Sequence, residues 1–444
     1  MARPALTFLA DLVQAITGTE RSGRKAQALD ERAARKALAR PAAERLNAAC
    51  DVLMGRIGDA ARVAVAEQAL EAYSELEAAG KHAFFARLLD GFNADPDDVR
   101  RAFAAYDADP SAETLVPLFN AVEPPRQTLL RRLNTARDAT LKLVNMRADL
   151  LAAIRDDPTL RPLDADFAHL FASWFNRGFL RIERINWSSP AEVLEKIMDY
   201  ESVHPMKGWD DLRRRLDPAD RRFYAFFHPA TGNEPLIFVE VALTRDIPAE
   251  IAPILNAPRG AEAEDATIAV FYSINNTLAG LKGVSFGNFL IKQVVAELAA
   301  DLPTLNTFVT LSPAPDFAAW LNSDDDPRRA ELAGELRAAR WITDPDTTAR
   351  LKPKVEAMAA QYFTAAKTRS RAPRDPVARF HLGNGASAWR VNWPADLSAG
   401  ALARAHGLMI NYLYEPAEIE AQHEAFVRDG TVATGAPLAA ILKR

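Results

Sequence analysis

Residues Ala266–Leu302 read ATIAVFYSINNTLAGLKGVSFGNFLIKQVVAELAADL, and this stretch decides the fold class. Its opening, Ala266–Thr277, is almost continuously apolar, β-branched or aromatic, as in a strand buried on both faces. Its close carries Phe286, Leu290, Val294 and Leu298 at a spacing of four, one stripe of an amphipathic helix. Between them Gly280, Gly283 and Gly287 permit positive φ and close approach of a ligand to the backbone. The helix that follows begins near Ser285 and offers unpaired N–H groups and the positive end of its dipole. Lys282 adds a cation. A strand feeding a glycine turn feeding a helix can hold an anion. A turn needed only to pack strand on helix would carry the same glycines. It is no P-loop, since G-x-x-x-x-G-K-[ST] is missing, and the glycine spacing is not that of a dinucleotide fingerprint.

Outward from this unit, further strands are predicted at Glu234–Thr244, Thr307–Pro313, Ser387–Pro394 and Gly407–Pro416, so the C-terminal half is mixed α/β. From Ala2 to about Trp187 the texture is different. Helical spacing recurs, as at Val65, Leu70 and Tyr73, or at Leu129, Leu130, Leu133 and Leu141, which describes a bundle. Arg126, Arg131 and Arg132 read there as a solvated face. Ser188 and Ser189 before Pro190 mark a helix start and the change of texture. The expected division is therefore an all-helical domain over 1–187 and an α/β domain over 188–444. Asn322–Arg329 and Lys367–Pro376 read as surface loops.

The bulk properties exclude several classes. A net charge of −5 over 444 residues speaks against a general nucleic-acid binder. The lone cysteine, Cys50, allows no internal disulfide and reads as a small buried apolar residue. No apolar run has the roughly 20 residues needed to cross a bilayer. The N-terminus meets Asp11 and Glu20 early and reads as a first helix and not a signal peptide. Of the histidines, His204 and His228 precede prolines and shape loops, while His406 and His423 read as helix or exposed-loop positions. No H-x-H, H-E-x-x-H or C-x-x-C spacing occurs, so no structural zinc or metallohydrolase site is expected.

Lys282-Gly-Val-Ser285-Phe-Gly287 resembles the diphosphate loop of the GCN5-related acetyltransferase fold, [QR]-x-x-G-x-[GA], with Lys for Arg/Gln and Ser for Gly. Longer strings carry a more specific resemblance. His204–Pro229, Gly232–Ile247, Val270–Val294, LSPAPDF (Leu311–Phe317), ARFHLGNGASAWRVNW (Ala378–Trp393) and GLMINYLYE (Gly407–Glu415) look like blocks of the malonyl-CoA decarboxylase family, in the family's order. The resemblance implies a helical bundle partly used for oligomerisation, as a homo-oligomer (dimer or tetramer), followed by an acetyltransferase-like catalytic domain. It implies conversion of malonyl-CoA to acetyl-CoA and CO₂ without a cofactor, metal, nucleic acid or membrane. By it, the catalytic serine and histidine match Ser312 and His381, and a tyrosine of the site matches Tyr414. The CoA-contacting loop matches Lys282, Gly283, Val284, Ser285, Phe286, Gly287 and Asn288. Asn384 and Asn411 lie beside these positions. The peroxisomal C-terminal tripeptide of animal members is absent, which favours the cytoplasm.

Decarboxylation of a malonyl thioester needs donors at the developing enolate oxygen, a poorly hydrated carboxylate and a proton for the α-carbon. A Ser312–His381 pair suits the last task, with His381 expected to titrate near neutral pH. The competing readings are an acyl-CoA N-acyltransferase of the same fold and a non-catalytic CoA-sensing scaffold.

Overall fold

The computed structural model describes residues 40–256, 265–284, 289–323 and 326–443. They fall into two compact units. One runs to Asn176 and includes Pro229–Gly232 and Leu278–Ser285. The other comprises Arg177–His228, Asn233–Thr277 and Phe286–Arg444.

The first unit is helical, with eight α-helices among its described residues: Ala42–Met54, Asp59–Ser74, Ala78–Gly91, Pro96–Ala108, Ala112–Val122, Pro125–Leu133, Ala139–Asp156 and Arg161–Trp174. Leu53, Val65, Phe85, Leu129, Leu143, Leu150 and Phe171 supply its fully buried core. Cys50 is buried and burial pushes its thiol up to about 12, which leaves it inert. Arg126 departs from the solvated face expected of it. It is buried and paired with Asp166, and it donates to Asn93 Oδ1 at 2.9 Å, so the charge is compensated inside the bundle. Arg132 likewise turns back to the carbonyls of Leu53 and Gly55. The glycine turn belongs to this unit. A Cβ on Gly280 would lie 1.8 Å from the Val144 carbonyl oxygen, so Gly280 serves backbone-on-helix packing. Gly283 has φ +78° and supplies the left-handed residue.

Among its described residues the second unit is built on an eight-stranded mixed sheet: β1 Arg181–Arg184, β2 Arg221–Phe227, β3 Pro235–Thr244, β4 Ile268–Asn276, β5 Thr307–Thr310, β6 Ser312–Pro313, β7 Ser387–Asn392 and β8 Met409–Tyr414. The order is β1-β2-β3-β4-β5-β8-β6, with β7 also on β8. All neighbours are antiparallel except β4 and β5, which are parallel. The helix Phe289–Asp301 connects the two parallel strands, as a parallel crossover requires. Its expected start near Ser285 lies outside the described residues. β3 and β4 are buried along nearly their whole length, in keeping with their near-continuous apolar sequence.

The parallel ladder stops short. It pairs Ile268 with Thr307 through Phe271 with Thr310 and closes with the Leu311 N–H to the Phe271 carbonyl at 2.9 Å. β4 then continues through Tyr272 to Asn276, while the other chain turns into β6 and pairs only with β8. The two strands part at this point, and the edge of β4 left open there borders a cleft.

Candidate active site

The cleft has a volume of about 220 Å³. Val203, Phe271, Ile274, Pro313 and Phe380 give it an apolar wall, and Ser312, His381 and Asn276 are among its polar groups. Each polar group is delivered by local sequence logic. Ser312 opens β6, just past the point where the parallel ladder ends. Opposite it the β8 pairing is interrupted at Thr310 and Leu311, and side chains replace the missing ladder bonds. Asn411 Nδ2 donates to the Thr310 carbonyl at 2.7 Å, and the Tyr412 N–H donates to Thr310 Oγ1 at 3.1 Å.

His381 sits in the last turn of the helix Pro376–Gly383. Asp375 caps this helix, accepting from the N–H groups of Val377 and Ala378 at 2.9 Å each, and Pro376 stands at its first position. The helix stops in a Schellman motif: Ala386 N–H returns to the His381 carbonyl, Gly385 N–H to the Leu382 carbonyl, and Gly385 takes φ +80°. A Cβ on Gly385 would lie 2.1 Å from the Ile419 carbonyl oxygen, so only glycine fits this stop.

Residues far apart in the chain thus meet. Ser312 Oγ lies 3.1 Å from His381 Nε2, and His381 Nδ1 lies 2.8 Å from the Tyr414 hydroxyl. Ser312 Oγ donates to Thr310 Oγ1 at 2.9 Å. With that donor committed, Ser312 accepts from Nε2–H, and Nδ1 must accept from Tyr414. The row then runs Tyr414 to His381 to Ser312 to Thr310. Reversing the first two bonds, with Ser312 donating to Nε2 and Nδ1–H to Tyr414, also satisfies every ring atom. A proton can therefore pass along the row by a change of imidazole tautomer. The His381 ring stacks on Tyr412 with centroids 4.6 Å apart and planes at 24°, which fixes its plane.

Ser312, His381 and Tyr414 are all buried. Burial pushes the imidazole of His381 down to about 3 and the Tyr414 phenol well above its ordinary value. This corrects the expectation of a histidine that titrates near neutrality: burial disfavours the charged ring, and the neutral imidazole is the form present at physiological pH. One other histidine differs in its burial: His406 is buried at a left-handed helix end, whereas His423 lies part-buried in the helix Ile419–Asp429 with Nδ1 2.8 Å from the Gly383 carbonyl.

Of the loop residues, Lys282 is exposed, Gly283 is left-handed and Val284 is buried. Ser285, Phe286, Gly287 and Asn288 lie outside the described residues. Arg147, buried and paired with Asp164, donates to the carbonyls of Gly280 at 2.7 Å and Lys282 at 3.0 Å and so holds the turn. Asn411 supports Thr310, as described, and Asn384 Nδ2 donates to the Phe380 carbonyl at 2.6 Å. Sequence reading missed Thr310 and Val203. The first is an ordinary strand residue until the ladder breaks. Val203 reaches the cleft because Glu201 accepts from the N–H of Val203 at 2.8 Å and of His204 at 2.6 Å. The other oxygen of Glu201 takes Ser273 and Asn275 of β4.

Residues 178–444 match the model of the malonyl-CoA decarboxylase C-terminal domain, and residues 92–175 match that of the N-terminal domain. The chain belongs to the malonyl-CoA decarboxylase family. The solved malonyl-CoA decarboxylase of Rhodopseudomonas palustris is 50% identical, with a TM-score of 0.86 over 90% of this chain and 99% of that one. That of Agrobacterium vitis is 46% identical, with a TM-score of 0.85 over 90% and 100%. The mitochondrial malonyl-CoA decarboxylase of Mus musculus is 35% identical over 379 residues, 76% of this chain and 77% of the mouse one. The goose relative, from Anser anser anser, is 37% identical over 324 residues, and the match spans 64% of its length. Within the malonyl-CoA decarboxylase family the mixed sheet and the Ser312–His381–Tyr414 row both fall in the C-terminal domain.

Proposed function

We propose that this chain decarboxylates malonyl-CoA to acetyl-CoA and CO₂, and that the Tyr414–His381–Ser312 row delivers the proton. The observation that carries the reading is a buried, fully hydrogen-bonded row that ends on Ser312 in an apolar-walled cleft, in a chain of this family. The C–CO₂ bond breaks and its electron pair enters the thioester carbonyl, giving an enolate. The apolar wall, Phe271 and Phe380 among it, disfavours a hydrated carboxylate and so favours its loss as CO₂. The enolate carbon then takes one proton from the Ser312 hydroxyl, which is refilled from Nε2–H as Nδ1 takes the proton of Tyr414, and the Tyr414 phenolate regains its proton from solvent before the next turnover. The carbanion is a far stronger base than any of these groups, so no imidazolium is required. No acyl-enzyme forms. Cytoplasmic residence belongs to the same proposal; among the described residues no helix is long and apolar enough to cross a membrane.

The deciding experiment mixes pure protein with malonyl-CoA and no amine acceptor, and follows acetyl-CoA and CO₂. Intact malonyl-CoA would overturn the reading in favour of an acyltransferase or a binding protein.

Lys282 and the turn through Asn288 are proposed to contact the CoA diphosphate. Support comes from the exposed ammonium of Lys282 and from the anchoring of its carbonyl by Arg147. Lys282→Glu should weaken CoA binding about tenfold at low salt, with the deficit shrinking as salt screens the charge. Titration calorimetry at two ionic strengths reads this. Melting should barely move, since the side chain is exposed. Unchanged low-salt binding would remove Lys282 from the site.

The helical domain is proposed to join copies of this chain. The helices Pro96–Ala108 and Ala112–Val122 have no buried residue, yet they expose Phe103, Leu115, Val116, Phe119 and Val122. Phe119 alone is 66% exposed. Faces of this kind usually mark an interface. The double substitution Val116→Asp with Phe119→Asp in the full chain should lower the sedimenting mass to that of a smaller species. An unchanged mass would place the interface elsewhere.

A further inference from the structure

Asp375 is 1% exposed, six positions before His381 and at the other end of the same two-turn helix. A helix of eight residues has little stability of its own and depends on its ends and its packing. Its C-terminal end is held by the Schellman turn and the close contact of Gly385 with Ile419. Its N-terminal end is held by Asp375, whose Oδ1 accepts from Val377 and Ala378 and whose Oδ2 accepts from the Tyr362 hydroxyl at 2.8 Å. Tyr362 is itself buried, in the long helix Pro345–Ala365. Pro376, Val377 and Phe380 of the capped helix line the cleft. A change at the cap would therefore displace both a cleft wall and the imidazole.

We propose that Asp375, in its ionised form, is the positioning residue of the proton-delivery row, and that loss of its charge, and not titration of His381, sets the acid limb of catalysis. The proposal rests on the role given to His381 above. Among the described residues the groups facing the carboxylate are few. Tyr362 donates to it, Tyr412 of β8 and Asp316 act on it through space, and Arg374 precedes it in the chain. Burial outweighs the hydrogen bonds and raises the carboxyl from its ordinary value to about 6. Asp375 therefore gains its proton as the pH falls through that value, while His381, held near 3, stays neutral throughout. The protonated acid still accepts hydrogen bonds, but the favourable charge at the helix N-terminus is gone.

The test is kcat at saturating malonyl-CoA between pH 5 and 8 for the intact enzyme, Asp375→Asn, Tyr362→Phe and His381→Ala. The intact enzyme should lose roughly threefold to tenfold activity toward pH 5, the size of a helix-terminus charge effect, with a midpoint near 6. Asp375→Asn, a neutral cap of the same shape, should be flat at the intact enzyme's acid-side value, with KM within about twofold. Tyr362→Phe removes a hydrogen bond that favours the carboxylate, so its midpoint should move to higher pH. An acid limb that persists in Asp375→Asn, full activity of that variant at pH 7.5, or no limb in the intact enzyme would each overturn the proposal. If Asp375→Asn fails to fold, an unshifted midpoint in Tyr362→Phe overturns it alone. Full activity of His381→Ala is a different failure, because it removes the role of His381 on which the proposal rests.

Discussion

His381→Ala and Ser312→Ala should each lower kcat by roughly two to four orders of magnitude, the usual worth of a positioned acid or base. The double mutant should be little worse than the more impaired single mutant. Ser312 Oγ and His381 Nε2 are 3.1 Å apart and form consecutive members of one row. Removing either interrupts the same proton path, and a path cannot be interrupted twice. Affinity for malonyl-CoA should change far less, because neither side chain is assigned to the nucleotide part of the substrate. Folding should survive Ser312→Ala, which deletes one oxygen. His381→Ala removes a ring stacked on Tyr412 and is best paired with His381→Asn, which fills more of the space. Multiplicative losses in the double mutant would give the two residues separate tasks, Ser312 at the carboxylate and His381 at the enolate. Single-turnover measurement of acetyl-CoA formation distinguishes the cases without interference from product release.

How far this site can be read in the sequence depends on the range of the interactions that build it. β3, β4 and β8 are visible in the chain, since strands buried on both faces are largely apolar. β1 is not: Arg181–Arg184 is a four-residue, largely exposed edge strand, and its RIER sequence mixes in charge as edges do. β2 hides behind the Arg221-Arg222 pair, yet Arg221 is buried, bonded to the Ile254 carbonyl at 2.8 Å and paired with Asp220. Local composition could not report such compensation. The same holds for Arg126 on its helix. At the site, Asp375-Pro376 and Gly385 announce a capped helix start and stop. The residue types of Ser312 and His381 say nothing about their meeting, which the parting of β4 from β5 arranges. The family resemblance supplied the pairing. Neither it nor the spacing could supply the depressed basicity of His381, because that follows from burial of the ring, which disfavours its charged form.

Tyr414→Phe should lower kcat by roughly tenfold to a hundredfold and leave KM within about threefold. The phenol hydroxyl is the partner of His381 Nδ1 at 2.8 Å, and it is buried. Without it Nδ1 becomes a buried group with no hydrogen bond, which costs about 1–3 kcal/mol. The imidazole also loses what selects its tautomer. In the intact row the proton that moves from Nε2–H to Ser312 is matched by one arriving at Nδ1. With phenylalanine at 414 nothing arrives, and Nε2–H must part with its proton unaided. Packing alone predicts a different result. Tyr414 meets Phe271 edge-on with ring centroids 6.5 Å apart, and phenylalanine would keep that contact. A variant with normal kcat would thus reduce Tyr414 to a core residue and end the row at His381. The pH profile adds a second reading. An imidazole near its ordinary 6.5 would give kcat/KM a limb there that disappears in His381→Ala. Held near 3, His381 contributes no limb between pH 5 and 8 in the intact enzyme, and Tyr414→Phe cannot create one unless the ring gains access to water. A histidine limb in the intact enzyme would mean that substrate binding brings a negative charge to the ring, and the malonyl carboxylate is the group that could do so.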